Sequence, residues 1–263
     1  MNVVGVNCFG RGGSAIFFSI LASSPHIITS KEWHREVFPT RRIGKAFRVL
    51  RYKYGFTAAD PFIGATSAKR LEDIYKTEVV KKPTATQFAT KVMDFYSVFN
   101  PAISAAHPGT RFVLFLREPV GQCESLIRSG NSLNEAIDWY NSVLELFWRQ
   151  KLENNDIPVF RFEDLLRNPE TFAMSVYETL QLSPPPNGQI NLRTKRFGSD
   201  RNKNEDAATG WTKVAIKNLG DFIDASVNQR ARSRIGEEKA AEILSRTRLT
   251  AERFGYKIET ATE

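Results

Sequence analysis

One stretch near the start constrains the fold more than any other. Val3-Val4-Gly5-Val6-Asn7-Cys8 is a short apolar run, Phe9-Gly10-Arg11-Gly12-Gly13 interrupts it with glycines, and Ser14 opens a helical pattern. Strand, glycine loop and helix in that order place backbone N–H groups at a helix N-terminus, where the dipole favours negative charge. Gly10, Gly12 and Gly13 are therefore candidate phosphate-binding residues, with Arg11 as a fixed cation. The same glycines are also compatible with nothing more than a tight strand-to-helix turn. Gly5 and Gly10 have the spacing of a nucleoside-triphosphate loop, but Arg11 stands where that loop needs lysine and Gly12 where a metal-binding hydroxyl belongs. A metal-dependent phosphotransferase is disfavoured on those grounds.

The alternation that follows predicts an α/β fold with three layers and a central parallel sheet. Residues 15–22 form an apolar helix stopped by Ser23-Ser24-Pro25, and 26–29 a short strand leading into the charged patch Lys31-Glu32-Trp33-His34-Arg35-Glu36. Residues 40–60 interleave arginine, lysine and aromatics, a pattern of a solvated amphipathic helix or of an anion-binding surface. Lys81-Lys82-Pro83 precedes a helix expected over 84–99, and a lysine before proline sits in extended backbone from which it can project into a cleft. Arg111 to Leu116 is the clearest buried strand. Arg117 ends it, Glu118-Pro119 starts a helix, and Ser125 lies two turns into that helix. A capping box at Ser132 to Glu135 opens another helix, 157–162 is a last short strand, and after Glu163-Asp164-Leu165-Leu166 a helix is expected through about 182. Residues 183–213 read as a basic lid-like loop, and about 214–256 as a C-terminal helical region of one domain spanning 1–263.

Charge and cysteine content narrow the function classes. Thirty-seven Lys and Arg against 29 Asp and Glu give a net charge of +8, which points to an anionic partner without choosing among nucleotide, acidic substrate, nucleic acid and membrane surface. The two cysteines, Cys8 and Cys123, form no disulfide framework and no metal-ligand spacing. The first residues lack a signal-peptide pattern and no run is long enough to span a membrane, so the expected location is the cytoplasm.

Taken together, residues 2–183 resemble the sulfotransferases that use 3′-phosphoadenosine-5′-phosphosulfate (PAPS), the bacterial and Golgi-type branches in particular. Gly10-Arg11-Gly12-Gly13-Ser14 looks like the family's 5′-phosphosulfate loop, R-S-G-[ST]-[ST]. Arg117-Glu118-Pro119 with Ser125 eight residues on is similar to the 3′-phosphate motif built on R-[DN]-P. Phe160-Arg161-Phe162-Glu163-Asp164-Leu165 resembles the family's structural V-R-Y-E-D-L segment. Lys82-Pro83 falls where a K-P element lies, Glu32 falls where non-cytosolic branches carry a glutamate base, and Gly210-Trp211-Thr212-Lys213 resembles G-x-W-[KR]. The resemblance implies sulfuryl transfer from PAPS to an acceptor hydroxyl or amine without a metal. Catalysis would fall to Glu32, Lys82 and Arg11, with His34 as the alternative base, and cofactor binding to the loop, Arg117, Ser125 and Lys213. Gly12 and Ala15 replace hydroxyl residues of the family loop, which leaves a non-catalytic nucleotide- or polyanion-binding protein as the rival reading. The acceptor, possibly anionic, is not encoded in any motif; nucleic acid is disfavoured as a partner.

Overall fold

The computed structural model describes residues 1–194 and 210–258. Its first elements are β1 (Asn2–Cys8), α1 (Ser14–Ser23), β2 (Ile27–Glu32), α2 (Trp33–Val37), α3 (Arg41–Tyr54), α4 (Asp60–Val79) and β3 (Gln87–Met93). A 3₁₀ turn at Asp94–Phe99 leads to α5 (Asn100–Ala106), β4 (Arg111–Leu116), α6 (Pro119–Ile127), α7 (Leu133–Glu153), β5 (Val159–Arg161), α8 (Phe162–Arg167) and α9 (Pro169–Thr179). The chain continues through β6 (Gln189–Thr194), β7 (Gly210–Ala215), a second 3₁₀ turn at Ile216–Phe222, α10 (Val227–Ile235) and α11 (Glu237–Glu252).

Five strands form one parallel sheet in the order β2-β3-β1-β4-β5. Side chains alternate across it as a pleat requires. Val4, Val6, Val113 and Phe115 face α1 and α9. Leu114 and Leu116 face α7 and α11, and Val3, Phe88 and Val92 face the layer of α2, α4 and α5. Helices thus cover both faces, which is why β1 and β4 read as nearly continuous apolar runs. Phe17 of α1 is fully buried and stacks on Phe115 with centroids 4.8 Å apart. Burial of such a ring contributes about 1.5–3 kcal/mol, and it pins α1 and the loop before it to the sheet.

Two expectations need correction. The helix expected over 84–99 is instead strand β3, inserted between β1 and β2, followed by the 3₁₀ turn. Phe88, Ala89 and Thr90 are all buried, and a strand buried on both faces shows no period-two alternation to reveal it. The helix expected after Leu166 and through about 182 is α9, which Asn168 opens: its side chain accepts from the Thr171 amide while Pro169 takes the first position. Part of the loop expected over 183–213 is a hairpin of β6 and β7 packed on α1, with the Asn191 amide donating to Ser23 Oγ at 2.9 Å. The central part of the expected lid, 195–209, lies outside the described residues.

Candidate active site

In a parallel sheet the carboxyl ends of the strands share one edge, and the residues leaving them form a cleft. The glycine loop leaves β1 there. Arg11 (φ 65°) and Gly13 (φ 84°) both adopt left-handed backbone, the alternation that turns successive amides toward one side. The amides of Ser14 and Ala15, the first of α1, have no intrahelical acceptor by construction, whereas the Ile16 amide donates to the Gly13 carbonyl at 3.1 Å. Glycine is required at 13: a Cβ there would lie 2.5 Å from the Phe162 ring. From α6, Gln122 Nε2 donates to the Gly10 carbonyl at 2.9 Å and fixes the loop from behind. Ser14, the first residue of α1, is buried. Burial pushes the Cys8 thiol up to about 12, which makes it an inert core residue.

The two expected halves of a nucleotide site meet at this loop, in a pattern of contacts that sequence did not specify. Arg11 Nε donates to Ser125 Oγ at 3.0 Å, and Arg117 Nη1 reaches the Arg11 carbonyl at 3.4 Å. Arg117 is only 6% exposed. Its Nε and Nη2 both donate to Asn228 Oδ1 of α10, at 3.1 and 2.8 Å, and its guanidinium lies 5.1 Å over the Phe162 ring. Asn228 in turn donates to Glu163, which also accepts from the Glu118 amide and Tyr256 Oη. Arg117 therefore joins loop, β4 and α10, while the cation in contact with Ser125 is Arg11. The Glu118 side chain accepts from the Val120 and Gly121 amides and caps α6; desolvation, and then Glu163, push its carboxyl up to about 7.

The other side of the cleft is built on β2 and β3. Glu32 ends β2 and is the register partner of Lys91 on β3. Its carboxylate is paired with Arg35 one helical turn on, and His34 Nε2 lies 3.6 Å away. Lys91 lies 5.0 Å over the Phe18 ring of α1, one turn after the glycine loop. Its charge is felt at Cys8, as are those of Asp94 and Glu32. His34 is buried and stacked on Tyr96 at 4.1 Å, and desolvation lowers it to about 4, so it is neutral at physiological pH. Asp94, at the exit of β3, accepts from the Gly10 amide at 3.0 Å and lies 3.5 Å from Trp139 Nε1; burial raises its carboxyl to about 6.

Two expected site residues lie elsewhere. Lys82 donates from Nζ to the carbonyls of Ala22 and Ile27, at 2.8 and 2.7 Å, between the last turn of α1 and the first residue of β2. That is the amino edge of the sheet, about 15 Å down α1 from the glycine loop. Lys213 lines an open cavity of about 300 Å³ with Ser23, Asn191 and Pro185 beside the same end of α1. Neither lysine is positioned with Arg11. Glu32 is ion-paired with Arg35, and across the β2–β3 register it faces Lys91, which sequence reasoning missed because it took 84–99 for a helix; the strand run Gln87–Met93 with one lysine near its carboxyl end was the available signal. Gln122, Asn228 and Asp94 were missed as well, since contacts made across the sheet leave no local pattern.

Comparison with known proteins settles the family. The model of a sulfotransferase family matches residues 4–186, more than half of the sequence. The chain belongs to the sulfotransferase family. Among solved structures, the sulfotransferase domain from the olefin synthase of Synechococcus PCC 7002 superposes with a TM-score of 0.61 at 15% identity, over 98% of this chain and 96% of that one. The sulfotransferase domain from the curacin biosynthetic pathway gives 0.57 at 15% identity, over 98% and 99% of the two chains. At these identities the structural likeness speaks to the fold. No curated protein matches the sequence. Among the described residues no helix is long and apolar enough to cross a membrane.

Proposed function

We propose that this sulfotransferase takes its sulfuryl group from PAPS and passes it to a hydroxyl or amine of a second substrate. The observation that carries the reading is the junction of the glycine loop with α6, the Arg11 to Ser125 contact at 3.0 Å. Those elements are suited to one ligand with phosphate groups at two ends, and ATP lacks the second. The donor supplies an activated sulfur. The acceptor oxygen forms the new S–O bond while the bridging bond from sulfur to the 5′-phosphate breaks, and the electron pair leaves with the phosphate. Glu32 takes the acceptor's proton, and Lys91 replaces Lys82 as the ammonium assigned to charge developing on the leaving oxygen. Arg11 acts as a fixed charge. Positioning and charge stabilisation of this kind are the protein's share of such a transfer.

The test compares 3′-phosphoadenosine 5′-phosphate with ATP by calorimetry, and then Glu32→Gln in turnover. The bisphosphate should bind at least about tenfold tighter, a difference of ~1.4 kcal/mol. Glu32→Gln should leave that affinity intact and lower kcat by about 10²–10⁴. Equal affinity for the two nucleotides would return the loop to a plain anion-binding turn.

A further inference from the structure

The helix α3 borders this cleft and is strongly one-sided in charge. Its 14 residues, RRIGKAFRVLRYKY, hold six cations and no acidic residue. Gly44 and Phe47 pack against Phe38 on the inner side, and Arg51 is neutralised by Asp60. Helical spacing places Arg41, Lys45, Arg48 and Tyr52 together along one flank. That flank meets the carboxyl end of β3: Tyr52 packs on Phe95 at 4.6 Å, and the Arg48 guanidinium lies 5.5, 5.5 and 5.6 Å from the rings of Phe95, Tyr96 and Trp139.

The other arginines of the cleft already have partners. Arg11 is on Ser125, Arg117 on Asn228, and Arg35 on Glu32. Arg48 is half-buried and has no hydrogen bond or ion pair to any described residue; its contacts are the three rings. A guanidinium so placed is held in position by stacking, and its five N–H donors keep their planar fork for an incoming anion. The carboxylate closest in sequence to those rings, Asp94, has its Oδ1 engaged by Gly10 and Trp139. Arg41 is exposed at the mouth of the same region, and its charge, like that of Arg48, acts on both His34 and Tyr96, the residues beside Glu32.

We propose that the acceptor carries, besides the group that is sulfated, an anionic substituent such as a carboxylate, phosphate or sulfate, bound by Arg48 and Arg41 on the flank of α3 next to Glu32. This assignment rests on the sulfotransferase chemistry proposed above for the same cleft. It gives the net charge of +8 a defined place of action, separate from the phosphate loop. The anion on the guanidinium fork would orient the acceptor so that its hydroxyl faces Glu32, with the aromatic rings excluding water from the contact.

The experiment first saturates the protein with 3′-phosphoadenosine 5′-phosphate, recording that affinity, and then titrates three matched pairs of hydroxylated probes. These are a hydroxyphenylacetate and its methyl ester, a glucose phosphate and glucose, and a phenolsulfonate and its sulfonamide. The anion of at least one pair should bind about tenfold or more tighter than its neutral twin. Arg48→Gln and Arg41→Gln should each shrink that preference, and the double variant should bring it within about twofold, with nucleotide affinity and melting temperature near those of the wild type. Absence of charge preference in all three pairs overturns the proposal, as does a preference that survives in the double variant. A loss of nucleotide affinity and melting temperature without change in the preference makes Arg48 a structural counter-charge and overturns it too. Failure of the unaltered protein to bind the nucleotide in the first step instead strikes the donor reading on which the proposal rests.

Discussion

At the scale of single residues, the two lysines assigned in turn to the leaving group make a clean contrast. Lys82 bridges two backbone carbonyls at the amino edge of the sheet, and burial lowers its ammonium to about 8. Lys82→Ala should cost roughly 1–3 kcal/mol of stability, as expected when two acceptors of a charged donor lose it, with turnover per folded molecule nearly unchanged. Lys91→Ala should do the opposite, lowering kcat about a hundredfold while the melting temperature moves little. Denaturant melts paired with single-turnover rates for both variants check this; equal catalytic loss in both would contradict the placement of Lys91. The strand end at Glu32 and the turn from Gly10 to Ser14 were legible as structure because both are local patterns. Lys91 was not, because a lysine acquires a role here only through the register that sets it beside Glu32.

At the scale of elements, the legible parts were those with a strong stop or start. Pro119 announced α6, and the Ser132 and Glu135 capping box announced α7. β3 was hidden because burial on both faces removes the alternation. The glycine loop itself allows a sharp test. Gly13 combines φ of 84° with contact to Phe162, and Phe162 also carries the stacked Arg117 guanidinium. An added methyl must therefore push the ring that helps support Arg117. Gly13→Ala should lower stability by about 1–3 kcal/mol and weaken 3′-phosphoadenosine 5′-phosphate binding at least about tenfold, whereas Gly109→Ala, equally left-handed but with nothing near its Cβ position, should cost stability alone. Calorimetric titration of both variants separates the two effects.

At the scale of the whole molecule, opposed buried titrations shape the pH dependence of stability. His34 falls from an ordinary 6.5 to about 4, and His107 is lowered too, both by desolvation first. The unfolded chain therefore binds protons there that the folded chain does not, so stability from these groups is present above pH 6.5 and is lost as pH drops toward 4. Asp94 rises from 3.8 to about 6 and Glu118 from 4.5 to about 7, again by desolvation first. Here the folded chain holds the extra proton, so stability is greatest below the unfolded values and declines as pH rises through 6 and 7. The two sets oppose each other between about pH 5.5 and 7.5, and the melting temperature of the unaltered protein should change by no more than a few degrees across that window. Glu118→Gln removes one of the two carboxyl contributions while keeping an oxygen to cap α6. Its stability should then climb with pH relative to the unaltered protein, the difference growing by about 1–2 kcal/mol from pH 5.5 to 7.5. Thermal melts at both pH values for the two proteins read this difference directly, and a constant offset would mean that the Glu118 carboxyl is ionised throughout the window and shares the charge of Arg117 instead of resisting it.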